Sequence, residues 1–180
     1  PTANLTCTTT SASIGATAVA GNTYSWSPTT GLSSATAANP TASPSATTIY
    51  TVTVTNTASG CTAQSTVSVN VNTTPPPANA GLDVTLTCTT PSAVIGTAAV
   101  AGNTYSWSPA TALSSTTIAQ PTSTATATTT YTVTVTNTAN GCTATDAILV
   151  TVNKTPPPAN AGPTANLTCT TTSASIGATA

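Results

Sequence analysis

The sequence predicts an all-β fold in which small β-sandwiches follow one another in tandem, and three observations lead there. Fifty of the 180 residues are threonine, which together with Val, Ile and Tyr favours the half-buried pleated surface of a strand. Apolar residues alternate with Thr, Ser or Asn over short runs, the apolar-in, polar-out pattern of antiparallel strands with one wet face. Third, the chain repeats itself with a period of 81: Cys7, Tyr24, Trp26, Tyr50 and Cys61 recur as Cys88, Tyr105, Trp107, Tyr131 and Cys142.

Within one repeat the elements can be taken in order. Leu5 and Cys7 share parity in a first strand, Ile14 and Ala16 in a second, and Tyr24 and Trp26 in a third. Tyr50, Val52 and Val54 mark a later strand, and Val67, Val69 and Val71 the last. Turn signals separate them: Gly21-Asn22, Pro28 to Gly31, Asn39-Pro40 with Pro44, and Ser59-Gly60. Six or seven short strands in about 75 residues make a small sandwich.

The segment Pro75-Pro76-Pro77-Ala78-Asn79-Ala80-Gly81 returns unchanged at 156–162. Three prolines fix φ and hold such a segment extended, so it reads as a spacer. The expected organisation is therefore a repeat at 1–74, a linker at 75–81, a second repeat at 82–155, a linker at 156–162, and at 163–180 the first strands of a third repeat. Residues 163–180 match residues 1–18 at all 18 positions, whereas residues 82–99 match them at only 10 of 18. The exact period is thus 162, and two repeat types alternate.

Composition narrows function. Lys154, Asp83 and Asp146 are the only charged side chains, and there is no His. General acid–base and nucleophilic catalysis and hard-metal binding draw on clusters of such groups, so the chain reads as non-enzymatic, with no catalytic residue, no metal site and no cofactor. A single cation cannot hold a phosphate backbone, which excludes nucleic acid. Thr, Ser or Asn interrupts every apolar run, which leaves no transmembrane helix. Lys154, Asp83 and Asp146 read as solvated surface charge.

A sandwich this small is marginal on its core alone. A Cys7–Cys61 disulfide would close a loop of about 55 residues, which a chain-entropy argument values at roughly 4 kcal/mol. Cys88–Cys142 would repeat it, and Cys169 would pair with a partner beyond residue 180. Paired cysteines point to an oxidising compartment outside the cytoplasm. The shared parity of Tyr24 and Trp26, and of Tyr105 and Trp107, places them with Tyr50 and Tyr131 in the core, the tryptophan packing on the disulfide.

The motifs Leu86-Thr87-Cys88, Tyr105-Ser106-Trp107-Ser108-Pro109, Tyr131-Thr132-Val133-Thr134-Val135 and Gly141-Cys142 stand in an order that resembles the Ig-like or PKD-like repeats of giant cell-surface adhesins of Bacteroidota. That group includes the SprB-type gliding-motility adhesins exported by type 9 secretion. The resemblance implies an extracellular, cell-surface filament whose repeats contact neighbouring repeats of the same chain and space an adhesive tip from the envelope. Surface glycans and a cell-surface anchor are the outside partners it implies. The alternatives are a repeated weak glycan- or protein-binding module, and an accessory array of a secreted enzyme.

Overall fold

A computed structural model describes residues 2–162, 164–170, 172–174, 176 and 177. The fold is all-β, and each repeat builds one four-stranded sheet and one two-stranded sheet. In the first repeat these come from β1 (Thr2–Thr6), β2 (Ala12–Ser13), β3 (Asn22–Ser27), β4 (Thr41–Ala42), β5 (Thr48–Asn56) and β6 (Thr62–Asn72). In the second repeat they come from β7 (Val84–Thr87), β8 (Ala93–Val94), β9 (Asn103–Ser108), β10 (Thr122–Ser123), β11 (Thr129–Asn137) and β12 (Thr143–Asn153). No helix is long and apolar enough to cross a membrane among the described residues.

The large sheet runs β1-β6-β5-β3 in the first repeat and β7-β12-β11-β9 in the second, while β2 pairs β4 and β8 pairs β10. Leu5, Trp26, Tyr50, Val67 and Val69 of the first large sheet meet Ile14 and Ala42 from the small one, closing a two-layer core. Leu86, Trp107, Tyr131, Val133, Val135, Ile148 and Val150 do the same with Ile95 and Ala125. Alternation sets these faces: Tyr50 of β5 is buried between exposed Ile49 and half-buried Thr51.

Trp26 and Trp107 are each 3% exposed. Their indole N–H groups donate to Ala37 O at 2.8 Å and Ile118 O at 3.0 Å, which satisfies the polar edge of each ring. Tyr50 Oη donates to Thr30 O at 2.6 Å, and Tyr131 Oη to Thr111 O at 2.8 Å. Tyr24 and Tyr105 are half-buried, and their hydroxyls accept the Val19 and Val100 amides, both at 2.8 Å. The tryptophans pack on glycine, contrary to the expected disulfide: a Cβ on Gly15 or Gly96 would meet the indole Cζ2 at 2.9 Å. Both glycines have φ near the left-handed region, at +89° and +85°.

The structure corrects one expectation about the strands. β1 runs parallel to β6, pairing Thr2 with Ser68 through Thr6 with Asn72, and β7 runs parallel to β12; only the remaining neighbours are antiparallel. The expected strands of a third repeat fall partly on Pro163, Thr171, Ser175 and residues 178–180, outside the described residues. Among the described residues of that segment no strand forms, and each first strand that does form lies beside the last strand of its own repeat.

Candidate functional site

The parallel β1–β6 pair decides where the cysteines fall. Cys7 follows β1 and so lies at the far end of β6, its Sγ 3.9 Å from Thr73 O. Cys61 immediately precedes the first residue of β6. That strand has 11 residues, and at about 3.4 Å per residue its ends are roughly 34 Å apart. A disulfide requires Cα atoms within about 7 Å. Cys7–Cys61 and Cys88–Cys142 are therefore geometrically excluded as intra-repeat bonds, and the structure joins Cys7 to Cys142, with S–S 2.02 Å and Cα–Cα 5.0 Å. Cys61, Cys88 and Cys169 are exposed thiols.

The bond ties the end of one sandwich to the start of the next, and a set of contacts surrounds it. Asn137 shapes the β11–β12 turn by accepting the amides of Ala139 and Asn140 on Oδ1. That turn presents Asn140, which is 3% exposed, Gly141 and Cys142 to the first repeat. Asn140 Nδ2 donates to Asn72 Oδ1 and to Thr74 O, both at 3.0 Å. Asn140 O accepts the Cys7 amide at 3.1 Å. A Cβ on Gly141, whose φ is +67°, would meet Thr8 Cγ2 at 2.5 Å, so the approach requires glycine.

The linker closes the junction from the other side. Its prolines lead into Ala80, which is fully buried within the second core, with Ala78 packed beside it. Ala80 O accepts the Gly96 amide at 2.8 Å, and its own amide donates to Asp146 Oδ2 at 2.8 Å. Asp83 Oδ1 takes the Leu149 amide at 2.8 Å. Half-buried Asp146 thus anchors the linker backbone where solvated surface charge was expected, whereas Asp83 is exposed, as expected, and holds backbone of its own repeat. The segment expected as a spacer inserts an alanine into the next sandwich.

Among the described residues no three His, Cys, Asp or Glu side chains gather where they could hold a metal ion. What the arrangement does chemically is fix one sandwich to the next, by a covalent bond and by satisfied hydrogen bonds. Sequence reasoning missed Asn140 and Ala80, and read Asp146 only as surface charge. A signal for two of them was present, since the first repeat has Ser59 and Ser65 at the positions of Asn140 and Asp146.

No protein-family model matches the chain, and no curated protein matches it. Among solved structures it is similar to Drosophila OTK extracellular domains 3–5, at 15% identity and TM-score 0.44 over 85% of this chain and 60% of that one. It is similar to the titin I-band fragment I67–I69, at 12% identity and TM-score 0.46 over 86% of this chain and 62% of that one. Protocadherin gamma B7 cadherin domains 1–4 give 12% identity and TM-score 0.41 over 73% of this chain and 41% of that one. The chain thus spans less than two thirds of the length of each.

Proposed function

We propose that this chain is a structural segment of an extracellular stalk or fibre, in which residues 1–74 and 82–155 are tandem sandwich domains and the junctions transmit load. The observation that carries the reading is the Cys7–Cys142 bond, which ties one repeat covalently to the next across 135 residues. A bond placed there does little for either core and much for the connection between them. It also needs an oxidising compartment, which favours a location outside the cytoplasm. The near-neutral surface, with net charge −1, responds little to salt.

The finer reading follows the motif resemblance: a filament of the kind made by SprB-type gliding adhesins of Bacteroidota, exported by type 9 secretion, anchored at the cell surface and holding an adhesive tip away from it. Immunogold microscopy of the producing cells with antibody to residues 1–162 tests this. Labelling along surface projections, with shorter projections when one 162-residue period is deleted, is the expected result. Label confined to the cell interior, or unchanged projections after the deletion, would refute it.

A further inference from the structure

The two repeats are alike in fold, yet one is filled where the other is open. Val133 and Val135 are 1% and 2% exposed, and Ile148 1%. Their counterparts in the first repeat, Val52 and Val54, are only half-buried, and Val67 is 7% exposed. The difference is a cleft of about 390 Å³ in the first repeat, lined by Ala3, Ile14, Gly15, Val52, Val54 and Val67 among others. In the second repeat Ala80 and Ala78 lie against the corresponding residues. The turn beside Cys61 is open as well: a Cβ on Gly60 meets nothing within 4 Å, whereas its counterpart Gly141 lies against Thr8.

The linker contact is made twice along the chain. Gly96 N–H donates to Ala80 O at 2.8 Å, and Gly177 N–H donates to Ala161 O at 3.1 Å. Donor and acceptor have the same sequence separation in both pairs. Gly15 is the third glycine of this set, at the same position in the first repeat.

We propose that the open face of the first repeat is a socket for the Ala-Asn-Ala-Gly linker of a preceding repeat in the same covalent chain, and that Cys61 forms a disulfide with that repeat's cysteine at the Cys88 position. The register is the one seen between Cys7 and Cys142, 135 residues apart. By the same register Cys88 bonds to the cysteine 135 residues further on, which the 162-residue period places at the Cys61 position of the following repeat. The exposed thiols of Cys61 and Cys88 are then two halves of one junction type. The second type lacks the Asn140 and Asp146 contacts, because Ser59 and Ser65 stand in their places, so it rests on the disulfide and the buried linker. Such a junction forms whether the array bears a tip or is itself the fibre.

The test compares the 180-residue chain with a chain of two 162-residue periods in tandem. Both are folded under oxidising conditions, alkylated, digested without reduction and mapped by mass spectrometry. In the longer chain the Cys88 peptide is expected linked to a Cys61-type peptide, and in the shorter chain both are expected alkylated. The second Cys88-type cysteine of the longer chain has no partner in this register, so half of that peptide is expected alkylated; recovery of a Cys88-type peptide linked to a Cys142-type peptide, or found only alkylated in the longer chain, would overturn the proposal. Amide exchange on ¹⁵N-glycine-labelled protein reads the socket independently of the sulfur chemistry. In the 180-residue chain Gly96 should exchange at least about tenfold more slowly than Gly15, and in the two-period chain the Gly177 amide, at the Gly15 position of a complete third repeat, should exchange as slowly as that of Gly96. Equal exchange of Gly15 and Gly96 in the short chain would show that no linker is missing from the socket.

Discussion

At the scale of single residues, the core is held by an aromatic pair per sandwich, and its contribution is measurable. Trp26 fills the space over Gly15 and is 3% exposed, so Trp26→Ala should destabilise the first repeat by about 3–5 kcal/mol, read as a shift of its denaturant midpoint. Tyr50 adds a pH dependence: burial pushes its phenol above the ordinary value of 10.0, the Thr48 hydrogen bond opposing. A raised folded-state value means that this contribution is fully present below pH 10 and is lost as pH rises through the folded value. Thermal melts should therefore fall more steeply above pH 10 for the native chain than for Tyr50→Phe. These aromatics were legible in the sequence because parity tells which face a strand residue occupies. Cysteine pairing was not, because parity is silent on which end of the sandwich a residue reaches.

Strand direction is the feature at the scale of elements that sequence could not supply. A run such as Thr2–Thr6 pairs equally well with β6 in either direction as far as alternation is concerned. The antiparallel reading brings Cys7 towards Cys61; the parallel one carries it to the opposite end of an 11-residue strand. Once that is fixed, each sandwich has one cysteine at each pole, and the inter-repeat bond follows from stacking pole on pole. The proline run misled in a related way, since prolines do signal an extended segment but hide the two alanines small enough to enter the next core. Asn140 isolates the non-covalent part of this contact. Asn140→Ala removes two hydrogen bonds to the first repeat, each worth about 1 kcal/mol net, along with the one its Oδ1 accepts from the Cys142 amide inside the turn. Loss of the two cross-repeat bonds should make Cys7–Cys142 roughly thirtyfold easier to reduce at equilibrium with glutathione. The unfolding midpoint of the reduced first sandwich should stay where it was.

Across the whole molecule, the distance in sequence between Cys7 and Cys142 sets how the chain responds to being cut. Every surface loop from Thr8 to Gly141 lies inside a ring closed by sulfur. A protease that nicks one of those loops breaks a peptide bond and severs nothing, because the second covalent route remains. Limited proteolysis should thus give a product that keeps its full mass on a non-reducing gel and separates into fragments only when dithiothreitol is added; fragments already apart without reductant would show that the ring is not closed. With bonds continuing in the same register, the rings overlap, since Cys88 opens a new one before Cys142 closes the old. No single nick beyond Cys7 could then part such a filament, and a surface exposed to its neighbours' secreted proteases would lose its loops long before it lost its length.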